Sequence, residues 1–285
     1  IRPATQAHCE AFAPSHFHPS NAIRSISADW EGERMMELAE KWFGGLDDVP
    51  YTAEPIPQEP PQQAPRREEV ERDVPATTVT VAYHMGGRRS ADFYTADLVS
   101  DLLSGGDSSR LYRRLVKEQR LLSSVNAYIT GDLDPGLFVF TGQLLPGIAP
   151  EQVEEAFRGE IRSLEQGEAT PYEIEKVKNK FEANTLFGEI NVMNKAMNLG
   201  FYEMLGDLGL INREVALYRA VDNEAIRDFC RRTFREENAP PPPYKSRPFP
   251  THPAPPPRTP NSPPPNPPPA TTAPPTTPTP PHPSE

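Results

Sequence analysis

The sequence predicts an α+β fold: a mainly antiparallel sheet with helices packed on one face. Three observations carry this prediction. Thr78–Met85 alternates, placing Val79, Val81, Tyr83 and Met85 on one side, as a half-buried strand requires. Val125–Thr130 and Leu137–Leu145 flank Gly131-Asp-Leu-Asp-Pro-Gly136, a turn sequence, and read as a β-hairpin. From Pro150 onward the apolar residues recur at helical spacing. Strands first and helices afterwards fit one helical layer on one sheet.

Four segments follow from composition. Residues 1–46 read as the end of a preceding domain, and residues 47–76 as a linker with prolines at 50, 55, 57, 60, 61, 65 and 75. Proline removes backbone donors and fixes φ, so that stretch sustains neither helix nor sheet. Residues 77–239 form the main domain. Residues 240–285 form a disordered tail that holds 23 of the 37 prolines and no glycine. The formal charge of −11 argues against nonspecific nucleic-acid binding. No apolar run reaches the ~20 residues that span a bilayer, so neither nucleic acid nor membrane is an expected partner. Cys9 and Cys230 lack CxxC spacing and fit a reducing compartment, which slightly favours the cytoplasm. The chain opens on Ile1-Arg-Pro and reads as an N-terminally incomplete piece.

Taken in order, Asn21–Ala28 is an expected strand. Asp29 is the expected cap of a helix carrying Met35, Leu38, Ala39 and Trp42, which Gly44-Gly45 ends. After the Thr78 strand, Ala91–Leu103 is an expected helix. Gly105 and Gly106 suit a turn, because glycine takes positive φ without steric cost. Asp107 or Ser108 is positioned to cap the short helix that follows. In it Leu111 and Leu115, with Tyr112 and Val116, share a face, and Arg113, Arg114 and Lys117 point outward. Beyond the hairpin, one helix carries Val153, Phe157, Ile161 and Leu164, with Pro150 in its first turn. Thr170-Pro-Tyr-Glu173 is a capping box opening the next. A stripe of Met193, Met197, Phe201 and Met204 reads as flexible core filling rather than a ligand groove. Ile226, Phe229, Cys230 and Phe234 mark the last helix.

The residues alone offer no self-contained active site. His8, Cys9, Glu10, His16 and His18 lack the i, i+3 or i+4 spacing of paired ligands on a helix, and the histidines read as polar loop residues. His84 ends a strand far from any acidic partner. Asp132 and Asp134 fit ordinary turn chemistry. No GxSxG, phosphate loop or dinucleotide fingerprint is present.

Several segments, however, occur in an order that resembles the pitrilysin/insulinase (M16) family of zinc metallopeptidases. His18-Pro-Ser-Asn-Ala-Ile-Arg-Ser-Ile-Ser-Ala-Asp29 is similar to the family's YxPxNAxLxIxGD, with Ala28 where glycine is usual. Glu40-Lys-Trp-Phe-Gly44 is similar to EKYFG, and Leu102-Leu-Ser-Gly-Gly-Asp-Ser-Ser-Arg-Leu-Tyr112 to ILGGGxSSRLY. Glu173-Ile-Glu-Lys-Val-Lys-Asn-Lys180 resembles ELEKAKNK. The match spans roughly residues 8–239.

The resemblance implies a C-terminal half-clamshell domain. In the intact family enzyme zinc is held by an HxxEH motif, with a glutamate that activates water; this sequence has no such motif. Many members supply to the cavity an Arg from the short helix and a Tyr seven residues later, and those positions here are Val116 and Ser123. The implied function is that of a noncatalytic, peptide-cavity-forming half, without zinc of its own and inactive alone. Its expected partners are a peptide substrate and an N-terminal catalytic M16 domain, in cis or in trans as a separate subunit. Some noncatalytic members contact peptide through a glycine-rich loop, which carries a substrate-binding role to Gly105, Gly106, Ser108 and Ser109. Family members continue into a closing strand where Pro240–Pro243 stands, and Tyr244–Arg247 is a possible remnant of it. A truncated or misread coding region explains the tail. The rival reading is an adaptor whose proline tail docks on SH3-like grooves.

Overall fold

The computed structural model describes residues 4–51, 76–235 and 238, positions 56–57, 59–60 and 62, and the backbone of 72–73 and 246–247. Most of the 240–285 tail and much of the linker lie outside the described residues.

Helix α1, Gln6–His16, stands where the sequence suggested a loop, so His8 and His16 are helical rather than loop residues. His16 stacks on Phe12, with ring centroids 3.7 Å apart. His18 is buried, pairs with the Ser20 hydroxyl and lies against Tyr51. After a 3-10 turn at Pro19–Asn21, the expected strand Asn21–Ala28 is not one. The chain is extended there but joins no sheet among the described residues. Its Ser25 hydroxyl instead donates to the Ala196 carbonyl at 2.6 Å. Helix α2, Gly32–Phe43, begins at Glu31 rather than at Asp29 and ends at Gly44 as expected. Met35, Leu38 and Ala39 are half-buried on it, whereas Trp42 is 68% exposed.

The two-residue strand β1, Arg72–Asp73, runs parallel to β5, Ser246–Arg247, in a small sheet apart from the main one. The main sheet is three-stranded and antiparallel, in the order β2 (Thr78–Met85), β4 (Gly136–Leu144), β3 (Leu122–Ile129). The register opposes Tyr83 to Phe138 and Val81 to Phe140, and Ala127 to Phe140 on the other side. One face of the sheet is therefore aromatic. Phe138, Phe140, Phe157, Phe229 and Phe234 form a buried cluster of edge-on and tilted rings, the geometry that aromatic quadrupoles favour. The opposite face carries Ser124, Asn126 and the exposed Tyr128.

Helices α3 (Phe93–Ser104), α4 (Pro150–Glu165) and α8 (Asn223–Thr233) pack against the sheet, α5 (Pro171–Gly188) and α7 (Glu214–Ala220) pack on α3, and α6 (Val192–Met204) packs on the 3-10 turn Leu208–Asn212. Val153, Phe157, Ile161 and Leu164 are all buried on α4, as their spacing predicts, and so are Ile226, Phe229 and Cys230 on α8. A buried polar knot ties α6 and α7 to the loop before α3. The Arg88 guanidinium pairs with Glu214, which also accepts the Tyr202 hydroxyl. Burial, reinforced by the Glu214 carboxylate, pushes the Tyr202 phenol up. Arg88 also lies 4.2 Å from the Phe93 ring centroid, a cation–π contact that partly offsets its desolvation.

The methionine stripe corrects the sequence expectation. Met193, Met197, Phe201 and Met204 are 66, 64, 37 and 47% exposed, so they do not fill the core. Tyr202 on the opposite side of α6 is the buried residue of that helix.

The candidate site around the glycine turn

The turn between α3 and the next helix is built by glycines with different roles. Gly106 has φ +125°, a region that side-chain-bearing residues rarely enter. Gly105 keeps φ at −72°, and its constraint is space: a Cβ there would lie 2.5 Å from the Asp101 carbonyl oxygen. The expected helix after the turn is short and wide. Tyr112–Glu118 is a π-helix, closed by the Gln119 N–H donating to the Arg114 carbonyl at 2.8 Å. Leu111 and Leu115 are buried on it and Val116 packs against the same core. It is left through Arg120, at φ +52°. Val116 thus belongs to the core. Ser123 lies at the bulge between Leu122 and Ser124 and donates to the Gln143 side chain at 3.1 Å.

Helix α5 grips this turn from below. Glu173, Lys176 and Lys180 recur at i, i+3 and i+7, so one face of the helix presents all three. Lys180 donates to Asp101 at 2.9 Å and to the Gly105 carbonyl at 3.3 Å. Lys176 donates to the Ser108 hydroxyl at 3.1 Å and to its carbonyl at 3.3 Å. The hydroxyl expected to cap a helix therefore serves α5. Glu173 takes two hydrogen bonds from the buried Arg110, at 2.9 and 2.8 Å, and closes the capping box with Thr170. Arg110 also reaches the Ser163 hydroxyl at 2.9 Å. Burial tends to raise the Glu173 carboxyl, but Arg110 and the Thr170 N–H and hydroxyl outweigh it and hold the group at about 2.

Of the residues expected to touch peptide, Gly106 and Ser108 are exposed and Gly105 is half-buried. Ser109 is 1% exposed, and its hydroxyl has no hydrogen-bond partner among the described residues. The turn brings these positions together, with Ser109 behind its surface. Sequence reasoning passed over Lys176 and Lys180, although their spacing from the capping Glu173 was a legible signal.

The zinc chemistry of the resemblance finds no ligand set here. Among the described residues no group of three or more His, Cys, Asp or Glu side chains is placed to hold a metal ion. His8 accepts the Thr5 N–H at 3.2 Å, and His16 and His18 are engaged as described above. The described histidines do not fit a zinc site. No helix among the described residues is long and apolar enough to cross a membrane.

A family model described as "Peptidase M16 inactive domain" matches residues 3–181. The zinc protease PqqE of Helicobacter pylori is 29% identical over 170 residues, covering 59% of this chain and 38% of that protein. A protease structure from Helicobacter pylori superposes with a TM-score of 0.80 at 23% identity, over 87% of this chain and 60% of that one. A peptidase M16 inactive domain from Pseudomonas fluorescens gives 0.73 at 17% identity, over 86% and 58%. The chain therefore spans less than two fifths of the curated zinc protease, and the two structures share its fold.

Proposed function

This chain belongs to the peptidase M16 inactive-domain family, and from that premise we propose that it forms the noncatalytic wall of a peptide-binding cavity completed by a catalytic M16 half. In this reading residues 1–46 close the preceding domain, 47–76 connect and 77–239 are the C-terminal domain. Zinc and its HxxEH ligands reside in the other half, where the metal lowers the pKa of a bound water for peptide hydrolysis. This chain's residues bind and orient peptide. The N–H groups of Asp107 and Ser108 donate to no partner among the described residues, and both residues are exposed, which supports a peptide contact there.

The observation that carries the pairing is the surface of α1, α2 and α6. Neither α1 nor α2 holds a buried residue. Phe12, Trp30, Met36 and Trp42 stand exposed on that side of the sequence, and Leu186, Phe187, Ile190, Met193 and Met197 on the other. The Ser25–Ala196 hydrogen bond joins the two sets. So many large apolar side chains left exposed support a surface that another body covers.

The test mixes the purified chain with a separately purified HxxEH-bearing M16 half, taken from the unmatched part of the zinc protease relative. Chelator-sensitive peptide hydrolysis is expected in the mixture and absent from the chain alone. Hydrolysis by the chain alone, abolished by chelator and restored by zinc, overturns the assignment.

A further inference from the structure

Beside the glycine turn, between the π-helix and the start of α5, lies an open cleft of about 430 Å³. Ser108 forms part of its wall, and Arg113, Arg114, Tyr172 and Lys176 stand around it. Its lining holds both signs. Arg110 and Glu173 neutralise each other, while the Glu168 carboxylate, which accepts only the neutral Ser163 hydroxyl at 2.6 Å, keeps its charge.

At the rim Arg114 donates through Nη1 to Glu160 at 2.6 Å. Arg113 has Glu118 at 3.6 Å, but both side chains are more than half exposed, and such a pair contributes little. The Lys176 ammonium is held by two Ser108 oxygens, which are neutral. Arg113 and Lys176 therefore present positive charge to the cleft, and the lining, with Arg110, Arg113, Arg114 and Lys176 against Glu168 and Glu173, carries more cations than carboxylates. Tyr172, 77% exposed, adds an aromatic surface. In a chain of formal charge −11, such a place stands out, because the surrounding field repels acidic ligands from the rest of the surface.

We infer that this cleft takes an acidic side chain, Asp or Glu, of an extended peptide running over the glycine turn. The inference rests on the reading that the turn contacts peptide, and adds the chemistry that the contact selects. Arg113 offers a planar fork matched to a carboxylate, and Lys176 a point charge fixed by Ser108. A cleft of this volume holds one side chain and its neighbours.

The test uses the full chain and two fluorescent peptides of identical length, one with three central Glu residues and one with Gln in their place. Anisotropy titrations are run at low ionic strength and again at high salt. The Glu peptide is expected to bind about tenfold tighter, and the advantage to shrink with salt. The Arg113→Gln/Lys176→Gln double variant should bring the two peptides within about twofold. Arg162→Gln, which removes one charge from α4 outside the cleft, should keep the preference. Equal binding of both peptides by the unaltered chain overturns the acidic preference and leaves the turn's peptide contact standing. So does a preference that survives the double variant or is lost equally in Arg162→Gln. Binding of neither peptide overturns both. Both altered residues are partly or wholly exposed, and a circular dichroism melt confirms that each variant is folded before it is titrated.

Discussion

Helices α5 and α6 follow one another in the chain, yet they are finished in opposite ways. On α5 the charged side chains are committed to neighbours within the domain. Glu173 holds Arg110, Lys176 and Lys180 hold the glycine turn, and Lys178, buried, donates to the Arg219 carbonyl at 2.9 Å. Arg219, on α7, in turn reaches Glu175, Asn179 and Glu182 on α5. On α6 the methionines of the apolar stripe stand exposed, and helix α2 ends on an exposed Trp42. A helix whose polar groups are spent inward serves its own domain. One whose apolar groups face outward is, in the proposed pairing, half of an interface. On that reading the same chain contains a self-sufficient body and a surface that a second body completes.

The largest loss is expected at the body's centre. Phe140 is fully buried between the paired strands and α4. Phe140→Ala leaves a cavity in close-packed surroundings and is expected to cost about 3–5 kcal/mol. Urea unfolding checks this, with the midpoint falling at an unchanged slope. A loss under about 1 kcal/mol would place the core elsewhere.

Next in size is the pair beneath the turn. Arg110→Ala leaves Glu173 charged and poorly solvated, a change expected to cost about 3 kcal/mol. The pH dependence has a definite sign. Glu173 takes up its proton near 4.5 when unfolded and at about 2 when folded. Between those values the unfolded chain binds more protons, so stability rises with pH through that window. The contribution is complete above about 4.5 and is lost as pH falls toward 2. Glu173→Gln should remove that part of the acid limb, measured as thermal midpoint against pH. An unchanged limb would show that Arg110 does not hold the carboxylate.

These two sites were not equally legible. The Thr78–Met85 strand, Phe140's neighbour, declared itself through alternation, and the Phe140 strand through the Gly131–Gly136 turn that makes it a hairpin arm, because both signals are local. The Thr170 capping box was legible for the same reason. The Arg110–Glu173 contact spans 63 positions, and residue spacing alone could not pair them. Only the ordered family motifs placed SSRLY and ELEKAKNK in one protein. The methionine stripe misled because amphipathicity reports that one face is apolar, and leaves open whether this chain or another covers it. Asn21–Ala28 misled similarly: its composition suits a strand, but the neighbour that would complete a ladder is absent from the described residues.

A smaller effect is expected at Arg120, whose φ of +52° a non-glycine residue adopts at a cost of roughly 1 kcal/mol. Glycine relieves the clash but loosens the unfolded chain, which returns part of the gain. Arg120→Gly should stabilise by about 0.5 kcal/mol, read as a thermal midpoint raised by ~1–2 °C. Arg120→Ala keeps a Cβ in the same backbone well and should give no such rise. If alanine matches glycine, the gain comes from removing a cation rather than from the backbone.

The smallest effect on the chain alone is expected where the comparison itself is decided. Met197→Lys and Trp42→Ser replace large apolar groups that are 64 and 68% exposed. In the isolated chain each should change stability by no more than about 0.5 kcal/mol, whereas a methionine filling a core would cost about 2–5 kcal/mol on truncation. In the presence of the catalytic half the ranking should invert. A lysine forced into an apolar interface must be desolvated without a partner, so the mixture should lose both co-elution and hydrolysis while the variant chain melts as before. A Met197→Lys chain that unfolds easily on its own would return the stripe to the core. One that melts normally and still pairs would move the interface off α6.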